Sequence, residues 1–225
     1  MPLPIGDLLE NPASASRPAR TTLQGRYCKL VPLDATAHAQ DLWAAGLNNP
    51  ANNDLWLYLG DGPYHDYALF EAAIAKKAAS EDPLFYTILG HDGNAIGVCA
   101  LMRIDANNRV IEVGHILFTP LLQRTPAATE AMYLAACYVF DDLGYRRYEW
   151  KCNNCNEPSK RAASRYGFAY EGLFRQHLIM KGRNRDTAWF SMLDSEWPAR
   201  KAAFEAWLAP ENFDAEGKQI SPLSR

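Results

Sequence analysis

Glu112 and His115 stand inside an otherwise apolar run, Val110-Ile111-Glu112-Val113-Gly114-His115-Ile116-Leu117-Phe118. A carboxylate in such a run is costly unless it is paired, which favours a working role for Glu112 as a general base. A histidine beside apolar residues reads either as a base or as a hydrogen-bonded core residue. His115 and the later His177 both face that choice. Just beyond the run, Thr125-Pro126-Ala127-Ala128-Thr129-Glu130-Ala131 opens a second pattern. Pro126 suits the first helical position and Thr125 the N-cap before it. A strand that feeds such a helix aims unpaired backbone N–H groups past the strand end, where they suit an anion. The small alanines keep the first turn slim enough for a bulky ligand. The plainer alternative is an ordinary strand–helix connection.

These residues need elements to hold them. The β-branched run 110–118 reads as a buried strand, and the residues after 125 read as a helix that stops at Gly144. Before the run, alternation predicts strands over 25–33, 84–89 and 95–104, with turns at His91-Asp92-Gly93-Asn94 and Asp105-Ala106-Asn107-Asn108. Helical spacing marks 34–47 and 64–79. The loop 48–63 carries Trp56, Leu57, Tyr58 and Leu59, which are either a folded-down lid or core filler. After Gly144 come a strand (147–152), a short helix ending near Tyr166, two strands (168–180 and 187–193) and an amphipathic helix (197–208). The plan is α+β, a single domain with a central mixed sheet of about seven strands and helices on both faces. The helix after residue 125 is a crossover, so the strands it joins should be parallel. Glu112 and His115, three apart on a strand, should point to opposite faces.

Bulk properties narrow the function. The chain has 225 residues, 48% hydrophobic and 22% charged, an ordinary globular balance. Residues 1–22 read as an extended, poorly packed arm, 23–209 as the domain and 210–225 as a tail. The N-terminus lacks a signal-peptide pattern and no run is long enough for a membrane span, so a cytoplasmic protein is expected. A net charge of −3 argues against nucleic acid as a partner. Between Arg146 and Arg185, however, cations outnumber acids, which suits either a small polyanion or a solvated surface. The five cysteines are an odd count, and Cys152-x-x-Cys155 lacks a second pair or a nearby histidine. Neither a disulfide framework nor a metal site is expected.

Four motifs in order extend this reading: Gln123-Arg124-x-x-x-Ala128-Thr129-Glu130-Ala131, Asn156-x-x-Ser159, Gly167-Phe168-x-x-Glu171-Gly172 and Asp194-Ser195-Glu196-Trp197. Together, over roughly residues 25–208, they resemble the GNAT N-acetyltransferases, and within them the RimJ/RimL-like ribosomal-protein branch. The resemblance implies acetyl-CoA as cosubstrate and a primary amine as acceptor, either a protein N-terminus or a small amino compound. It implies a pyrophosphate cradle over 123–128, here relying on Gln123, Arg124, Ala127, Ala128 and Thr129, because Pro126 replaces the family's first glycine and removes one amide. It implies that Asn156 contacts the pantetheine arm and that Ser159 lies near the thioester sulfur, as a proton donor or simply as a capping residue. The tyrosine that many members use falls at Ala163 here. The Phe118 or Thr119 amide would serve the oxyanion, and Glu112, His115 or His177 the base. The fold also admits a non-catalytic acyl-CoA-binding module. The acceptor is not legible, and the helix 197–208 with the aromatic loop could support a homodimer.

Overall fold

Alternating runs build the expected sheet, with one strand more. The computed structural model describes residues 5–223. Its strands are β1 (Leu23–Gln24), β2 (Lys29–Pro32), β3 (Leu84–Leu89), β4 (Ala95–Asp105), β5 (Val110–Phe118), β6 (Arg147–Asn153), β7 (Ala169–Met180) and β8 (Arg183–Leu193). They lie in the order β1-β2-β3-β4-β5-β6-β8-β7. The extra strand, β1, lies just before the predicted first strand, whose opening residues 25–28 form a turn instead: Leu23 pairs with Leu30 and Gln24 with Lys29. Among the described strands only β5 and β6 run parallel, joined by the expected crossover.

The helices are α1 (Ala35–Leu42), α2 (Tyr67–Ala78), α3 (Pro126–Cys137), α4 (Glu157–Arg165) and α5 (Trp197–Leu208). Both α1 and α3 continue through a π-helical turn, Trp43–Leu47 and Tyr138–Asp142. On one sheet face Ile111, Val113, Tyr148 and Trp150 meet Met132, Ala135, Phe204 and Trp197 of α3 and α5. On the other, Phe85, Val98, Ala100 and Leu117 meet Leu42, Phe70 and Ile74 of α1 and α2. Ile111 is wholly buried, and a residue of its size contributes about 1.5–3 kcal/mol by leaving water.

The aromatic loop resolves into a 3-10 helix, Pro50–Trp56, with Trp56 as core filler against Tyr64 and Phe70. The segment read as a poorly packed arm is extended but tied at its inner end. The Ala15 amide donates to the Ala106 carbonyl (3.0 Å), the Ala19 amide to the Tyr138 hydroxyl (2.9 Å), and the Tyr86 hydroxyl to the Ala19 carbonyl (3.0 Å). At the other end of the domain, Trp197, Phe204 and Trp207 are buried in the chain's own core. The apolar face of α5 is therefore spent internally.

One buried contact fixes α3 itself. Glu130 accepts the amides of Arg26 (2.8 Å), Tyr27 (2.6 Å) and Cys28 (2.8 Å), in the turn before β2. This docks the first turns of the crossover helix against a different part of the chain.

Candidate active site

The site forms where the parallel pair comes apart. Pairing of β5 with β6 stops at Val113 and Trp150, although β5 runs on to Phe118 and β6 to Asn153. The cause is visible on the other edge of β5. Val98 pairs with Leu117 and Ala100 with Gly114, so one residue of β4 opposes two of β5, with His115 at a φ of +49°. Such a bulge bends the strand and twists it away from its neighbour. The Thr119 amide is taken by the Ile96 carbonyl (3.3 Å). Strand alternation then turns the Phe118 amide toward the gap. Of the two oxyanion amides expected, Phe118 is the one left facing it.

At the top of the gap sits the start of α3. Thr125 is its N-cap, with Oγ1 accepting the Ala128 amide (3.3 Å), and Pro126 occupies the first turn. The left-handed turn that leads in is made by Arg124, at a φ of +63°. Pro126 therefore costs the loop no conformation, only its missing N–H. Among the described residues, no acceptor within the chain takes the Arg124 or Ala127 amide. The Ala128 amide points to its own cap, and Thr129 turns its hydroxyl to Arg165 Nη1 (3.0 Å). Gln123 folds back so that Nε2 donates to the Phe118 carbonyl (3.0 Å).

The far wall is α4. Asn156 is its N-cap, and its Oδ1 accepts the Ser159 amide (3.1 Å). Capping thus falls to Asn156, and its Nδ2 has no partner among the described residues. The Ser159 hydroxyl accepts from Trp150 Nε1 (3.0 Å) and lies beside the Cys152 thiol. That placement leaves its own proton for an acceptor other than the indole, with the Cys152 sulfur adjacent. Ala163 is buried in the core and stands in for nothing polar. On the outer side of α4, Lys160, Arg161 and Arg165 with Gln219 and Leu223 of the tail line a cavity of about 780 Å³.

Below the gap lies the working face of the sheet. Glu112 is 4% exposed, with Arg103 Nε at 3.1 Å and Lys151 Nζ at 2.9 Å. Burial outweighs these two cations and holds its pKa above the ordinary carboxylate range. Lys151 also pairs with Glu149 (2.5 Å) and lies over the Trp189 ring. His115 packs against Phe85 (5.1 Å between centroids), and burial lowers its pKa. Phe85 and Met102, the cross-strand partner of Glu112, belong to the face that α1 and α2 cover in part. Glu112 and His115 therefore share a face, against the sequence expectation. The extra residue of the bulge resets the alternation.

Two contacts outside any sequence motif bound this face. Lys181, in the β7–β8 turn, donates to the carbonyls of Trp56 (2.8 Å), Asp61 (3.0 Å) and Gly62 (2.8 Å). The Tyr58 hydroxyl donates to the Cys155 carbonyl (3.0 Å), just past β6. His177 sits nearby with Nδ1 against Thr187 Oγ1 (3.0 Å). Local sequence offers no signal for such pairings, since the partners lie about a hundred residues apart. Among the described residues, no group of three or more His, Cys, Asp or Glu side chains could hold a metal, and no helix is long and apolar enough to cross a membrane.

A splayed parallel pair crowned by a helix N-terminus is the plan of the acyltransferase fold that the motif order implies. The chain belongs to the GNAT family: the Acetyltransferase (GNAT) domain matches residues 29–169. Among solved structures it is similar to a GCN5-related N-acetyltransferase from Brucella melitensis, at 51% identity and a TM-score of 0.93, covering 96% of this chain and 97% of that one. A probable GNAT-family acetyltransferase from Chromobacterium violaceum is 36% identical with a TM-score of 0.80, covering 88% and 98%. A putative ribosomal N-acetyltransferase, YdaF, from Bacillus subtilis is 29% identical over 49% of this chain and 60% of its own length.

Proposed function

We propose that this protein transfers the acetyl group of acetyl-CoA to a primary amine by direct attack on the thioester. The observation that carries the reading is the gap between β5 and β6, open beside the unpartnered Arg124 and Ala127 amides and above Glu112. The free edge of β5 and Asn156 Nδ2 would hold the pantetheine arm as an added strand. The amides at the start of α3 would meet the pyrophosphate, with Gln123 and Arg124 at its rim and Thr129 bracing the helix through Arg165. The cavity along α4 supplies cations for the nucleotide end.

Glu112 takes the amine proton, directly or through water. Its raised pKa brings it closer to the operating pH, where a base works best. His115, kept neutral by burial, faces the same space and orients the amine or that water. The Phe118 amide stabilises the tetrahedral oxyanion; removing one such donor typically costs about a hundredfold in rate. Ser159, its oxygen already engaged by the Trp150 indole, has a proton to give the departing thiolate. The acceptor is a protein N-terminus or a small amino compound, and the expected place of work is the cytoplasm.

The test is thiol release from acetyl-CoA over a panel of amines and peptides, comparing wild type with Glu112→Gln and Ser159→Ala. Amine-dependent release that falls in both variants is expected. Tight acetyl-CoA binding with no release on any acceptor would replace this reading by a binding module.

A further inference from the structure

Charges on the working face form a row in which nearly every member is matched. Arg103 pairs with Glu112 (3.1 Å), Lys151 with Glu112 (2.9 Å) and Glu149 (2.5 Å), and Arg147 with Glu149 (2.7 Å) and Glu171 (2.5 Å). That is three cations against three carboxylates. Arg185 of β8 adjoins the row and is the exception. Its Nε donates to Thr187 Oγ1 (3.1 Å) and one Nη lies 4.0 Å from Met180 Sδ, and among the described residues it has no carboxylate partner. The neighbouring Asp186 is taken by the Gln176 amide (2.7 Å) and Asn184 Nδ2 (2.9 Å).

Arg185 is half-buried, and burial is strong enough to lower its pKa. A guanidinium withdrawn from water without a counter-charge is destabilising. Its geometry suits a planar carboxylate held by two parallel hydrogen bonds. Thr187 connects it to a second ring: Oγ1 accepts from Arg185 Nε and lies 3.0 Å from His177 Nδ1, which places the His177 imidazole beside the guanidinium. The Glu112 carboxylate is near enough to act electrostatically on Arg185.

We propose that Arg185, with the His177 imidazole beside it, is the acceptor's anion subsite, so that the acceptor is an amine that also bears a carboxylate. The inference rests on the transferase reading and narrows its substrate class. Two sources share this chemistry: the α-carboxylate of a free amino acid, and an acidic side chain close behind a peptide N-terminus.

Product-like ligands separate the subsite from turnover. Calorimetry in the presence of coenzyme A would compare N-acetylalanine and N-acetylphenylalanine with their carboxamides, and N-acetylaspartate amide with N-acetylasparagine amide. In wild type at least one carboxylate should bind about tenfold or more tighter than its neutral partner, the yield of charge-assisted hydrogen bonds. The first two pairs report the amino-acid source and the third the acidic side chain. Arg185→Gln should abolish the preference, Arg185→Lys should keep part of it, and Arg183→Gln, exposed on the same strand, should leave it intact. No carboxylate preference in any wild-type pair, a preference that survives in folded Arg185→Gln, or equal loss in Arg183→Gln overturns the proposal. The wild-type comparison stands even if Arg185→Gln fails to fold. A carboxylate preference without amine-dependent thiol release would keep the subsite and remove the transferase reading. Equal turnover of charged and neutral amines would do the reverse.

Discussion

Glu130 and Glu112 are buried to the same extent, 4% exposed each, on elements that follow one another in the chain. Their surroundings differ in kind. Glu130 is held by three backbone amides, fixed dipoles that cannot give up a proton, and it locks α3 to the turn before β2. Glu112 is held by two side-chain cations that are themselves shared or partly exposed, and burial leaves its pKa raised. A carboxylate facing amides is an anchor, whereas one facing movable cations at a strand bulge can take up and release a proton. Burial alone does not distinguish structural acids from working ones.

The comparison breaks most sharply on Glu112→Gln. A general base contributes about 10²–10⁴-fold, so kcat/KM should fall by that order while the melting temperature stays near wild type. The pH profile adds a sign. The base must be ionised, and because its pKa is raised, kcat/KM should decline on acidification above the ordinary carboxylate range; the variant should lack that limb. Equal activity of the variant would make Glu112 a second anchor.

Glu130→Ala should show the opposite pattern. Loss of charge-assisted hydrogen bonds to three amides costs about 3 kcal/mol of stability by denaturant unfolding, and the KM for acetyl-CoA should rise as the start of α3 loosens. Ser159→Ala should lower kcat about tenfold with roughly 1 kcal/mol lost from the Trp150 hydrogen bond. The smallest effect belongs to the loop before α3. Arg124→Gly relieves a left-handed residue but frees the unfolded chain, for a net gain under about 1 kcal/mol.

The strand–helix unit that sets up this site was legible because its signals are local. A β-branched run, a Thr-Pro pair and a closing Gly144 are read within one window, and the parallel pairing of β5 and β6 follows from the crossover. Position on a face was not legible. The bulge at His115 depends on how β4 and β5 register, and it overturned the rule that residues three apart point apart. The anchoring of Glu130 joins residues 102 to 104 positions apart, and the Lys181 contacts join residues 119 to 125 apart. Arg185 looked like one of many cations because its distinction is the lack of a carboxylate partner among the described residues, and partners appear only when strands are side by side. The backbone conformation of the loop before α3 was not legible either. Pro126 removes an amide as the sequence implies, while the loop's left-handed residue is Arg124.

The three hydrogen bonds of Lys181 make the β7–β8 hairpin and the segment 56–62 two jaws of one clasp. On the transferase reading proposed above, the clasp would sieve acceptors, admitting a slender chain end or small amine to Glu112 and turning away a lysine on a broad folded surface. Lys181→Ala would unfasten the jaws, raising the KM for a small acceptor while leaving that for acetyl-CoA unchanged, and would widen the range of amines accepted in a competition assay.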